Sequence, residues 1–205
     1  MRDFAPPIQE EAGSTKGIGQ FCYVKGNIVR VLNLYFSTTG NTEKMAKQIE
    51  KAAKDAGHEV ETIKITKNAE VDILAYDFVF IGSGVYTWLP GKPMMEFLNQ
   101  TRERYGQLGE IKPSSPRRAG KKAVVYCSFG GGHTGVNEAL PAAKFMGQLF
   151  DHLGYEVVSE WYFVGEFHGR LQHLSTTGRL GNIKGRPNEA DLQDIYQRVL
   201  GILGV

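Results

Sequence analysis

From residue 28 onward, short apolar runs alternate with longer stretches whose apolar positions recur every three or four residues. Residues 28–36 (IVRVLNLYF) are β-branched and aromatic, bounded by Gly26-Asn27 and by a Ser/Thr/Gly cluster, the pattern of a strand buried over most of its length. Residues 42–56 set Met45, Ile49, Ala52 and Ala56 on one stripe among lysines and glutamates, which predicts an amphipathic helix closed by Gly57. Residues 58–65 alternate as a more exposed strand. Residues 77–81 (DFVFI) predict a third strand that stops at Gly82-Ser83-Gly84. A helix over 94–105 is entered through Pro93, and a loop over 106–120 carries Pro113 and Pro116. Residues 122–128 (KAVVYCS) predict a fourth strand, followed by a helix with Pro141 in its first turn that runs to Leu153. Residues 155–164 predict a fifth strand. After an irregular stretch at 165–187, Asn188 caps a last helix with Leu192, Ile195, Val199 and Ile202 on one face.

Five strands with helices between them predict an α/β fold. Parallel neighbours need crossover connections, and right-handed crossovers cover both faces, giving a three-layer, doubly wound sheet. At 205 residues the chain suffices for one well-buried core. One domain is expected over 27–205, with 1–26 as an N-terminal extension, in which Phe21-Cys22-Tyr23-Val24 could add a strand through a hairpin at Lys25-Gly26-Asn27. Lys+Arg 24 against Asp+Glu 22 leaves a net charge of +2. That balance lacks the wide basic face of a nucleic-acid binder, and Arg117-Arg118 with Lys121-Lys122 reads as a solvated loop. No apolar stretch approaches the ~20 residues of a membrane span, and residues 1–16 lack the apolar core of a secretory signal. Cys22 and Cys127 stand far apart with no CxxC partner, which fits a reducing compartment rather than a disulfide or zinc framework. A cytoplasmic protein is the expectation, with Cys127 a buried thiol.

Chemistry concentrates after the first strand, at Ser37-Thr38-Thr39-Gly40-Asn41-Thr42. Hydroxyls are interleaved there with residues that turn tightly, just where a helix begins and its first amides lack partners. A phosphate can be satisfied there by hydroxyls and amides alone. A simple helix cap would need only Asn41 or Thr42. Nothing matches GxxxxGK[ST], which disfavours nucleoside triphosphate hydrolysis. Residues 130–135 (GGGHTG) do match GxGxxG, but after the fourth strand, in a glycine-rich run that meets the pattern easily.

The S-T-T-G-N-T loop after a first strand resembles the phosphate loop of the flavodoxin family, and the similarity extends from about residue 28 to 205. The resemblance implies a sheet order of 2-1-3-4-5 with flavin mononucleotide (FMN) at the carboxyl ends of the strands. It assigns the phosphate to Ser37, Thr38, Thr39, Gly40, Asn41 and Thr42. It places a second flavin loop at Gly84-Val85-Tyr86-Thr87-Trp88, where Tyr86 and Trp88 offer stacking faces. A third loop falls on Ser128, Phe129, Gly130, Gly131, Gly132 and His133. Each aromatic has a structural alternative: Phe129 as core, Trp88 as packing for the next helix. Carrier flavodoxins commonly follow this tryptophan with a glycine that stabilises the one-electron-reduced flavin; here Leu89 follows. The family also implies electron transfer. One reading is an oxidoreductase that takes electrons from a donor such as NAD(P)H and reduces a quinone-like or other small acceptor, with His133 as the catalytic acid, because imidazole titrates near neutral pH. The other is a one-electron carrier that docks to a redox protein, although carriers are typically acidic and this chain is not. A homodimer is compatible with either.

Overall fold

The computed structural model describes residues 28–67 and 69–204. The extension 1–26, with the strand suggested at 21–24, lies outside them. Strands β1 (Arg30–Phe36), β2 (Glu59–Lys64), β3 (Phe78–Tyr86), β5 (Lys122–Phe129) and β6 (Glu156–Val164) form a parallel sheet in the order β2-β1-β3-β5-β6. With the two-residue β4 (Leu89–Pro90) set aside, this is the expected order 2-1-3-4-5. β4 folds back antiparallel onto the end of β3.

Helix α1 (Asn41–Asp55) and helix α5 (Glu189–Leu203) cover one face, packing Met45, Ile49 and Ile195 against Val31, Phe80 and Trp161. Helices α2 (Lys92–Gln107) and α3 (Leu140–His152) cover the other, over Leu32, Ile81 and Val125. Pro93 and Pro141 each stand at the start of their helix, where a missing N–H costs no hydrogen bond. Asn188 caps α5 as expected: its side chain accepts from the Asp191 N–H, and the Asp191 carboxylate accepts from the Asn188 N–H. Arg186 reaches the same carboxylate with two of its nitrogens, fixing the end of the preceding loop. A four-residue helix, α4 (Leu174–Thr177), lies inside that loop.

One polar group sits in the middle of this apolar slab. Asn33 is fully buried on β1 and is satisfied on both sides. Its amide donates to the Ala46 carbonyl of α1 at 2.9 Å, and its carbonyl accepts from the Tyr126 hydroxyl of β5 at 2.9 Å. Burial pushes the Tyr126 phenol well above its ordinary range, so the hydroxyl stays protonated and remains a donor.

The third strand differs from its expected form. It does not stop at Ile81 but continues through Gly82-Ser83-Gly84 to Tyr86. The cause is packing rather than turning: a Cβ on Gly82 would lie 2.1 Å from the Tyr126 ring, so glycine makes room for that ring inside the strand. Pairing then aligns Phe36 with Ser83, Gly84 with Ser128, and Phe129 with Val164. The segments that leave β1, β3, β5 and β6 therefore emerge along one edge.

Among the described residues no helix is long and apolar enough to cross a membrane. No group of His, Cys, Asp and Glu among them is placed to hold a metal ion.

Gly82→Ala is expected to cost about 1–3 kcal/mol, as overpacking does, because the buried Tyr126 ring has nowhere to go. Gly106→Ala on α2, where a Cβ meets open space, should instead stabilise by up to about 1 kcal/mol. Urea unfolding of the two variants checks the contrast.

Candidate cofactor site at the carboxyl edge

The turn from β1 into α1 is built by Ser37 to Gly40. Gly40 is the helix N-cap at φ 93°, a left-handed conformation that disfavours any residue with a Cβ. No side chain caps α1, so the first amides of the helix keep the open donors of a bare N-terminus. Neither Asn41 nor Thr42 acts as a cap. Asn41 Nδ2 donates to the Glu166 carbonyl at 2.9 Å, beyond β6. The Thr42 hydroxyl shares a buried 2.7 Å hydrogen bond with the Ser128 hydroxyl at the end of β5. Ser37 Oγ accepts from the Gly40 N–H at 3.1 Å, while Thr38 and Thr39 are exposed.

The second loop is a two-residue turn between β3 and β4. Thr87 at φ 49° and Trp88 at φ 67° are both left-handed, the geometry of a tight hairpin usually given to Asn and Gly. Trp88 is 60% exposed and borders the cavity. Tyr86 also lines the cavity; its hydroxyl sits 2.6 Å from Thr38 Oγ1, and its ring leans on Phe36 with centroids 6.0 Å apart. It joins the second loop to the first.

In the third loop Phe129 is buried in the α2/α3 core layer and still borders the cavity. The aromatic ring that covers the glycines comes from another segment. Phe167, after β6, lies where a Gly130 Cβ would be, 2.2 Å away, so Gly130 and Phe167 fit only together. Glu138 accepts from the N–H groups of His133 and Thr134, both at 2.7 Å. A pyrophosphate would have to displace that carboxylate, which removes the support for a dinucleotide at residues 130–135. The His133 imidazole itself is 82% exposed, with Nδ1 4.0 Å from the same carboxylate.

Residues 165–187, irregular in sequence, form a braced wall. The Phe167 N–H donates to Ser175 Oγ at 2.9 Å, and Ser175 is fully buried. Backbone bonds join Glu166 to Arg186, Ile183 to Ser175 and Arg179 to Gly132.

These segments enclose a cavity of about 400 Å³, within the ~300–1,000 Å³ of small-molecule sites. It is lined by Thr39, Asn41 and Thr42, by residues 84–88, by residues 128–131 and by His133. Of the expected residues, the pair Ser37-Thr38, Gly40 and Gly132 are not in the lining but flank residues that are. Glu138, residues 165–168, Leu171 and Leu174 line it as well and carried no recognisable pattern in the sequence. One end is a bare helix start with hydroxyls, suited to an anion. The other end presents the indole of Trp88, suited to a flat ring.

The family model for flavodoxin matches residues 34–198. A flavodoxin of Megasphaera elsdenii is 30% identical over 99 residues, which is 48% of this chain and 64% of that protein, so the alignment spans less than two thirds of the relative. Among solved structures, the flavodoxin of Streptococcus pneumonia TIGR4 superposes with a TM-score of 0.56 at 20% identity, covering 83% of this chain and 94% of that one. Oxidised Flavodoxin 2 from Bacillus cereus gives a TM-score of 0.58 at 19% identity, covering 85% and 97%. At such identities the two structures show a shared fold.

The left-handed backbone at Thr87 costs about 1–2 kcal/mol for a residue with a Cβ. Thr87→Gly is therefore expected to stabilise the chain by up to about 1 kcal/mol once glycine's larger unfolded-state entropy is subtracted. A rise in urea midpoint at unchanged slope checks it; a fall would show that the threonine side chain contributes more than the strain removes.

Proposed function

The chain belongs to the flavodoxin family, and from that premise we propose that it binds FMN at this edge and passes electrons from a reduced donor to a small quinone-like acceptor. The observation that supports this reading is one cavity shared by an uncapped helix start, an exposed tryptophan and a glycine-rich loop. In this reading the phosphate takes the open first turn of α1, where Thr39 donates its O–H and Asn41 and Thr42 donate backbone N–H groups. Hydrogen bonds to a charged group contribute roughly 1.5–3 kcal/mol each. The Thr42–Ser128 hydrogen bond holds the first and third loops at a fixed separation. Trp88 gives a flat face, and residues 84–87 and 130–131 bring backbone close to the ring. When bound, FMN supplies the redox chemistry that no side chain here can. His133 stands at the mouth, where its imidazole can deliver a proton to an acceptor oxygen, while Glu138 holds the loop backbone beneath it. NAD(P)H is the small-molecule candidate for the donor. One observation also favours a protein partner: the opening is rimmed by exposed apolar side chains.

Replacing Thr39 by Ala, which removes a hydroxyl donor and leaves the Thr42–Ser128 tie intact, should weaken FMN more than riboflavin, which lacks the phosphate. Titration of flavin fluorescence reads both affinities, and an equal loss for the two ligands would place the phosphate elsewhere.

Trp88→Ala should restore part of the quenched flavin fluorescence and weaken binding by about 1 kcal/mol, the scale of a lost aromatic pair. His133→Ala should leave FMN bound and slow reoxidation of the reduced protein by a naphthoquinone. Anaerobic mixing with NADH and NADPH tests the donor. Unchanged reoxidation in His133→Ala would remove that residue from the acceptor step.

A further inference from the structure

Nine large hydrophobic side chains are exposed among the described residues, and all but Ile28 and Leu108 lie in the cavity lining or on the segments beside it. Tyr86, Trp88 and Leu171 line it, the last 51% exposed, and Leu89 follows Trp88 in the same hairpin. Leu180 lies against Gly131 and Gly135, next to Val136. Leu140 opens α3, which packs beside β4. Apolar side chains scattered singly are ordinary, but a cluster around one opening marks a surface that another molecule covers.

Charge around the mouth is sorted by sign. The wall at 165–187 carries four cationic residues, Arg170, Arg179, Lys184 and Arg186, against the single acid Glu166. Arg186 is spent on Asp191. Arg170, Arg179 and Lys184 are exposed and form no ion pair among the described residues. The two acids of the bordering segments face inward: Glu138 holds the amides of His133 and Thr134, and Glu166 accepts from the Gly185 N–H at 3.1 Å. What the mouth shows a partner is therefore an apolar centre with a basic border on one side.

We infer that this mouth docks the acidic face of a small electron-transfer protein, which serves as the donor to the bound FMN. The inference rests on FMN occupying the cavity and goes beyond that reading by naming who brings the electrons. Apolar contact excludes water at the centre, and the arginines and lysine steer and orient the partner. At each encounter the partner's metal centre loses one electron and the flavin gains it; over two encounters the flavin also takes up two protons from solvent. The doubly reduced flavin then returns two electrons and two protons to a quinone, giving the hydroquinone.

The test uses the FMN-loaded protein and a plant-type [2Fe–2S] ferredoxin as the acidic probe, with binding read by calorimetry. Affinity should fall by about tenfold or more between about 20 mM and about 200 mM salt. The triple variant Arg170→Glu, Arg179→Glu, Lys184→Glu should weaken binding by about tenfold or more while FMN affinity stays unchanged. It should also gain affinity for a basic control, cytochrome c. Leu171→Ser should weaken binding at both salt levels. Equal ferredoxin binding by wild type and triple variant, or none by wild type at low salt, overturns the inference. So does a dimer in light scattering that Leu171→Ser converts to monomer, because the mouth is then covered by a second copy. If the protein takes up no FMN, its absorbance shows that the cofactor reading has failed, and the binding comparison on the flavin-free protein still reads the surface.

Discussion

Helix α1 begins without a cap, and the carboxyl edge is organised around that open turn. A first turn whose amides lack side-chain partners is a local concentration of positive potential, stable enough in water but primed for an anion. Gly40 creates the condition by taking a left-handed φ of 93°, which directs the chain into the helix with no side chain folding back as a cap. The residues that could have closed the turn are drawn outward. Asn41 reaches to the segment after β6 and Thr42 to the end of β5. The same two side chains thus leave the anion site open and fasten it to both neighbouring loops.

The fastening requires small residues at the points of contact. Gly130 gives its side-chain space to Phe167, and a Cβ on Gly165 would lie 2.7 Å from the Asn41 amide. Residues 165–187 can lie this close only because each contact has a glycine on one side, Gly130 facing the segment and Gly165 within it. Ser175 then fixes the segment from inside, with its hydroxyl shared between the Phe167 N–H and the Phe167 carbonyl. A segment held this way is part of the site wall, with defined positions for Leu171 and Leu174 along the cavity.

Much of this was legible in the sequence, and the illegible parts share a cause. Alternating strand and helix patterns fixed the order of elements, because burial and backbone pairing act over a few residues and leave a period. The S-T-T-G-N-T loop was readable because a phosphate needs hydroxyls and glycine in close succession. Gly82 misled: a glycine between strand and loop reads as a turn, yet here it accommodates Tyr126 from a neighbouring strand. Phe129 and Phe167 show the same limit. Phe129, read as either a loop contact or core, is in the core layer and also borders the cavity, while the ring packed against Gly130 comes from nearly forty positions later in the chain. Glu138 had no pattern to betray it, since its partners are the backbone N–H groups of two preceding residues. Contacts set by tertiary approach leave no local signature.

Net charge illustrates the same point in electrostatic terms. A total of +2 reads as featureless and argued against docking by charge. Interaction, however, depends on the field at one surface, and the fold separates the signs there. Glu138 and Glu166 are turned toward backbone amides, where hydrogen bonds satisfy them, while Arg170, Arg179 and Lys184 stay in solvent. A carboxylate bonded to two amides has its charge spread into those dipoles and contributes less field outside. The cations keep theirs, reaching about 8–10 Å at physiological ionic strength. A near-neutral chain thus presents a basic border at the one place where its exposed apolar side chains gather.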